Sequence, residues 1–164
     1  MTAQTKKTSP GFTLIELLIA LTIITILAVS VFVALNPAQR LKDAKDARRS
    51  TDVDSILTAV HQSIVDNKGT YPSNFPAAGT EAQLGTDGSA CGISNTKCNF
   101  ATAACANLLT GSQNLATYLK DMPIDPNGTA NAAKTGYSVV RDSNGIVTIK
   151  ACYTDGTATI SASR

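Results

Sequence analysis

One acidic side chain, Glu16, stands inside an otherwise uncharged apolar run near the start of the chain. A carboxylate in hydrocarbon is costly, so it indicates a function unless it lies close enough to the interface to reach water. The functional interpretation requires a cation. Cleavage after Gly11 would create one, because the new α-amino group of Phe12 has a reference pKa of about 7.7–8.0 and is mostly charged in neutral water.

The apolar run itself extends from Phe12 to Leu35, and no charged residue occurs from Leu17 to Gln39. A helix needs roughly 20 apolar residues to cross a bilayer, whereas the core of a signal peptide has roughly 7–15. We therefore predict a membrane-spanning helix over residues 12–35. The alternatives are a buried core helix and a long signal peptide cut after Ser30.

The flanks of this run give conflicting evidence on orientation. Lys6 and Lys7 precede it, but five basic residues follow it between positions 40 and 49. Counting Lys and Arg alone would place the carboxyl-terminal side in the cytoplasm. All four cysteines lie after residue 90 in a Gly-, Ser-, Thr- and Asn-rich region, which predicts disulfides and an oxidising compartment. We give the cysteines more weight.

Residues 6–17, with the sequence KKTSPGFTLIEL, resemble the class III signal of type IV pilins and type II secretion pseudopilins. Gly11, Phe12 and Glu16 match that signal position by position, and Pro10 departs from it. The resemblance implies a cytoplasmic leader over residues 1–11, cleavage after Gly11 by a prepilin peptidase, and methylation of Phe12. It also implies that Glu16 offsets the Phe12 amine of a neighbouring subunit during assembly by inner-membrane machinery.

A second helical segment is predicted over residues 36–68. Asn36 and Pro37 interrupt the first helix, so the chain either kinks or restarts there. Beyond them an apolar stripe recurs at helical spacing, and Gly69 ends the helix. The members of the stripe are Val53, Ile56, Leu57, Val60 and Ile64.

Charged side chains of both signs alternate at the start of this second segment. The basic members are Arg40, Lys42, Lys45, Arg48 and Arg49, and the acidic members are Asp43, Asp46 and Asp52. We interpret them as a solvated helix face with pairs three and four residues apart. Contact with lipid headgroups or with acidic groups of adjacent subunits is the alternative, and nucleic-acid binding is disfavoured because no aromatic residues are interleaved. We expect the His61 side chain to face solvent or to have its hydrogen bonds satisfied.

Residues 69–164 should form a small head. We predict an irregular loop over 69–100, short helices over 101–109 and 114–119, and antiparallel strands over 137–141, 146–153 and 157–161. The fold class is therefore α+β, with a long amino-terminal helix and a small antiparallel sheet, which is the layout of pilins. Residues 69–72 and 118–126 resemble the major pseudopilin branch, whereas the cysteines and the Gly-rich loop depart from it.

The cysteines Cys91, Cys98, Cys105 and Cys152 are spaced too widely for zinc, whose paired ligands usually lie two to four residues apart. Two disulfides are favoured, and three connectivities are open. We favour Cys91–Cys98 with Cys105–Cys152, because the second bond would tie the predicted short helix to the sheet.

A D-x-N-G pattern occurs twice, at residues 125–128 and 142–145. Asp and Asn side chains bond their own backbone in turns, so both copies predict turns. Since some pseudopilins bind calcium in carboxyl-terminal loops, Asp125 and Asn127 are weaker calcium candidates. No other metal or cofactor is expected.

The composition disfavours several classes of function. The net charge of +2 is too balanced for a nucleic-acid binder, and a single histidine leaves little scope for His-based catalysis. No phosphate-binding loop or nucleophile motif occurs, so an enzyme is not expected. We predict a structural subunit of a type IV pilus-like filament, first in the cytoplasmic membrane and then periplasmic or extracellular. The alternatives are a secretion pseudopilin and a single-pass membrane-anchored binding domain.

Overall fold

The computed structural model describes residues 11–89, 91–92, 97–100 and 105–164. The chain divides into two compact units, an amino-terminal unit up to Arg40 and a head unit from Leu41 to Arg164. The fold class is α+β, as the sequence predicts, with long helical segments before a small antiparallel sheet. The leader residues 1–10 lie outside the described part of the chain.

The long helical region is two helices, α1 over Leu14–Leu35 and α2 over Pro37–Asp66. Asn36 separates them, because its backbone adopts the left-handed conformation with φ of 41°. Its carbonyl oxygen accepts the N–H groups of Gln39 and Arg40, and Pro37 needs no donor at the first helical position. The chain therefore restarts its helix here. The helical stretch Leu14–Asp66 contains a segment long and apolar enough to cross a membrane, by length and composition.

In the head unit, α2 supplies the predicted apolar stripe to the core. Val53, Ile56 and Val60 are fully buried. The helix ends at Asp66, where Lys68 and Gly69 both have positive φ and the Gly69 N–H donates to the Ile64 carbonyl. Gly69 thus ends the helix as predicted. The rest of the core comes from the sheet and the loops: Leu84, Leu108, Leu115, Tyr137, Val139, Val147, Ile149 and Ala151.

Four antiparallel strands form the sheet in chain order. They are β1 over Ala82–Gln83, β2 over Tyr137–Arg141, β3 over Val147–Ala151 and β4 over Ser161–Ser163. The prediction of β2 is confirmed at both ends. Strand β1 is too short to leave a periodic signal, and it was missed.

The turn between β2 and β3 is the one that the sequence predicts. The Asp142 carboxylate accepts the N–H groups of Asn144 at 2.9 Å and Ile146 at 2.7 Å, and Gly145 has a φ of 89°. Side-chain capping of the backbone by Asp is the physical basis of this turn signal. Because Ile146 belongs to the turn, β3 starts one residue later than predicted.

Strand β4 begins at Ser161, whereas the sequence predicted a strand over 157–161. The reason lies in the preceding loop, because the N–H groups of Asp155 and Gly156 donate to the Asp46 carboxylate on α2. The chain rejoins the sheet only where the Ala151 N–H meets the Ile160 carbonyl.

The two short helices that the sequence predicts do not form in the described residues. Residues 101–104 lie outside that part of the chain, and Ala106 makes a parallel bridge to Leu84. Residues 114–119 form turns, in which the Asn114 side chain accepts the Ala116 N–H. Leu115 is fully buried, and its N–H donates to the carbonyl of Leu108, which lies shortly before it in the chain. Burial and this loop-closing hydrogen bond therefore override the local helical pattern.

Candidate processing and assembly site

The peptide bond between Gly11 and Phe12 lies before the first helix, where the backbone forms no regular secondary structure. Helix α1 begins at Leu14 with Thr13 as its N-cap, so the bond precedes the helix. Gly11 is exposed, and the Phe12 side chain is 90% exposed. Among the residues that the structure describes, no atom lies within 4 Å of a Cβ added at Gly11. That part of the chain therefore does not itself require glycine at position 11.

Glu16 and Thr13 form a capping box at the start of α1. The Glu16 N–H donates to the Thr13 hydroxyl oxygen at 3.2 Å, and the Thr13 N–H donates back to the Glu16 carboxylate at 3.3 Å. These bonds satisfy donors that a helix amino terminus leaves unpaired, and they place the carboxylate at the positive end of the helix dipole. The pattern T-x-x-E at residues 13–16 is the sequence signal that could have predicted this capping box.

Every residue of α1 is exposed in the described structure, although the helix is apolar on all sides. The large side chains from Leu14 to Leu35 each keep half or more of their surface exposed. A helix that is hydrophobic all round requires a membrane or a protein environment. The four residues Gly11, Phe12, Thr13 and Glu16 thus stand at the start of an uncovered apolar helix.

All four cysteines form disulfides, but in a different pairing from the favoured one. Cys91 pairs with Cys105 and Cys98 pairs with Cys152. The Cys98–Cys152 bond attaches a loop to the end of β3. That loop is also held by the buried Glu81, whose carboxylate accepts the Asn99 N–H at 3.0 Å. The favoured pairing was wrong because it assumed a helix around Cys105, where the chain instead runs beside β1.

Asp125, the weaker calcium candidate, is the partner of a buried arginine. Its carboxylate accepts two hydrogen bonds from the Arg49 guanidinium, at 2.8 and 2.9 Å, and both side chains are 2% exposed or less. The Asn127 N–H donates to the same carboxylate at 2.8 Å. Asp125 therefore forms a buried ion pair with Arg49. Among the described residues, no group of three or more His, Cys, Asp or Glu side chains could hold a metal ion.

The same guanidinium binds two further carboxylates. Asp46 and Asp155 each accept a hydrogen bond from Arg49 Nη1 at 2.7 Å. We call Arg49, Asp46, Asp125 and Asp155 the arginine cluster. It joins α2 to the loops that precede β2 and β4. The interpretation of residues 40–52 as a solvated helix face is therefore wrong for Arg49, which continues the apolar stripe one turn before Val53.

The pKa values in this region follow from burial and hydrogen bonding. Burial disfavours the charged form of Arg49, but its three carboxylate partners outweigh burial and raise its pKa. Burial also opposes ionisation of Asp46, yet the N–H groups of Asp155 and Gly156 and the Arg49 guanidinium hold its pKa below the usual range. Burial, and then the hydrogen bond to Asp52, raise the pKa of Tyr137. All three groups thus keep their neutral-pH charge states.

His61 lies partly buried on α2, and its Nε2 has no hydrogen-bond partner among the described residues. The expectation that His61 faces solvent or has its hydrogen bonds satisfied is therefore wrong for its Nε2 atom.

Comparison with known proteins gives one match. The family model described as the prokaryotic N-terminal methylation motif matches residues 6–32. No curated protein and no solved structure matches the chain. The matched range includes Gly11, Phe12, Thr13 and Glu16. The chain therefore carries at its amino terminus the class III signal of type IV pilins and pseudopilins.

Proposed function

We propose that the protein is the precursor of a type IV pilus-like filament subunit. A prepilin peptidase cuts it after Gly11, the new Phe12 amine is methylated, and the processed subunits polymerise through α1. The observation that carries this proposal is an exposed, non-helical Gly11–Phe12 bond directly before a capped apolar helix with Glu16 in its first turn.

Cleavage after Gly11 suits the local backbone. A peptidase has to surround the scissile bond, and this bond precedes the helical hydrogen-bond ladder. The described residues leave open space around Gly11, so the fold does not explain the glycine. A peptidase that approaches the backbone closely would explain it, because a side chain at this position would block the approach. Methylation acts on the amine that cleavage exposes.

Assembly would bury the surface that α1 leaves uncovered. A lipid bilayer covers it in the precursor, and neighbouring copies of α1 cover it in a filament. Such a contact is heterologous and does not close, so it produces a helical polymer. The Glu16 carboxylate then pairs with the Phe12 amine of a neighbour and sets the axial register.

The two disulfides favour a head on the oxidising side of the membrane, with the leader in the cytoplasm. A secretion pseudopilin would use the same signal and the same helix, so a long filament on the cell surface would distinguish the pilus subunit from it. A single-pass anchored domain would keep an unmethylated amino terminus.

Cleavage is tested by Gly11→Val, with Gly128→Val as the matched control at another open position. Both full-length variants are expressed with the native peptidase, and the mass of the membrane-bound protein is measured. We expect Gly11→Val to keep residues 1–11 and Gly128→Val to lose them. Normal cleavage of Gly11→Val would contradict the proposal.

Assembly is tested by Glu16→Gln, because glutamine keeps the capping box but removes the charge. Thr13→Val is the matched control, since it removes the cap and keeps the carboxylate. We expect filament yield to collapse in Glu16→Gln and to fall much less in Thr13→Val. Normal filaments from Glu16→Gln would show that the charge of Glu16 does not direct assembly.

A further inference from the structure

Two lysines at the start of the head unit have no carboxylate partner in the described part of the chain. Lys42 and Lys45 take part in no salt bridge among the residues that the structure describes. Asp46 lies four residues after Lys42, the spacing of a helical ion pair. Its two oxygens are instead occupied by Arg49 and by the N–H groups of Asp155 and Gly156.

A third cation of the same helix segment, Arg48, is mostly exposed. Its side chain is 60% exposed, and its closest carboxylate is Asp52 at 3.7 Å. Asp52 also accepts the Tyr137 hydroxyl at 2.7 Å, which draws it toward the sheet. Asp43 is the exposed carboxylate of this segment, and it has a partner of its own. The fold thus turns Asp46 and Asp52 inward, whereas Lys42 and Arg48 are exposed and Lys45 is half-buried.

The place of these cations in the sequence favours the membrane as their partner. In sequence, Lys42 follows soon after Leu35, the last residue of α1. Basic residues just outside a membrane span attract anionic lipids.

We propose that Lys42, Lys45 and Arg48, the basic patch, bind the headgroups of anionic phospholipids and hold the unassembled subunit in an anionic lipid environment. This inference rests on the proposed function, because it requires α1 to span a bilayer. The same positive charges could instead bind acidic groups of a neighbouring subunit. The test below distinguishes an anionic lipid from a protein partner.

The test uses the full chain in a non-ionic detergent, mixed with equal amounts of phosphatidylglycerol and phosphatidylcholine. Native mass spectrometry counts the lipids of each kind that remain bound. We expect the wild-type protein to prefer phosphatidylglycerol, and this preference to weaken as salt is added. Each lysine near an anionic surface contributes about a fivefold preference. Lys42→Gln/Lys45→Gln should therefore lose most of it.

The matched control is Lys68→Gln/Lys120→Gln, which removes the same charge from exposed lysines elsewhere in the head unit. It should keep the wild-type preference. An equal loss in both variants, or no preference in the wild type, would overturn the proposal. A Lys42→Gln/Lys45→Gln variant that keeps the lipid preference but fails to assemble would overturn it in favour of a protein partner.

Carbonate extraction of the cell membranes that contain the expressed chain distinguishes failure of this inference from failure of the proposed function. If the wild-type chain is released by carbonate, it does not span the bilayer and the proposed function fails. If it is retained but shows no preference for phosphatidylglycerol, only the lipid proposal fails.

Discussion

Replacement of Arg49 by leucine should destabilise the head unit by about 3–5 kcal/mol, the usual cost of removing one partner from a buried ion pair. The change leaves Asp125, whose side chain is fully buried, without its cation, and it also removes the cation from Asp46 and Asp155. Asp125 and Asp155 hold their two loops against α2 through this guanidinium, and Asp46 on α2 binds it as well. We therefore expect both loops to loosen.

The neighbouring Arg48 provides the matched control. Its side chain is 60% exposed, and its pair with Asp52 spans 3.7 Å. Exposed pairs of this kind contribute about 0–1 kcal/mol. Arg48→Leu should therefore cost no more than about 1 kcal/mol, although it removes the same charge from the same helix.

The assay is thermal unfolding of the full chain in detergent, followed by tyrosine fluorescence, which is readable because the chain has no tryptophan. At about 4 °C per kcal/mol for a domain of this size, Arg49→Leu should lower the melting temperature by about 12–20 °C. Arg48→Leu should lower it by no more than about 4 °C. Equal shifts in the two variants would refute the assignment of Arg49 as the buried centre of the cluster.

Three further predictions concern the head unit. Peptide mapping without reductant should recover Cys91 linked to Cys105 and Cys98 linked to Cys152, and any other pairing would contradict the described loop arrangement. Gly136→Ala should destabilise the head by about 1–3 kcal/mol in the same melting assay, because Gly136 has a φ of 85° and an added Cβ would lie 2.7 Å from the Asp125 Cβ. The low pKa of Asp46 adds stability at neutral pH that is lost as the pH falls below its unfolded value of 3.8. The melting temperature of the wild-type protein should therefore drop on acidification. The Asp46→Asn variant should have a lower melting temperature at neutral pH, and that temperature should drop less on acidification.

Local chemistry made several features predictable from the sequence. The restart at Asn36 and Pro37, the stop at Gly69 and the turn after Asp142 all depend on a residue's own backbone preference or side-chain reach. The apolar stripe on α2 was predictable from its helical spacing. The class III signal was recognisable because Gly11, Phe12 and Glu16 coincide with a long apolar run.

Features set by distant contacts were not predictable. The disulfide pairing depends on how the loop beside β1 approaches β3, and the late start of β4 depends on Asp46. The predictions of the two short helices were wrong in the described residues, because Ala106 pairs with Leu84 and the buried Leu115 donates its N–H to the Leu108 carbonyl. Arg49 was misread as a solvated residue, since its three partners lie on α2 and on two loops far along the chain.

The central claim is that this chain is a precursor processed between Gly11 and Phe12. The most direct test is the intact mass and amino-terminal sequence of the protein purified from its native membrane. The proposal predicts a chain that begins at N-methylated Phe12. A chain that begins at Met1 or Thr2 in the mature pool, or at Val31 after signal-peptide cleavage, would contradict it.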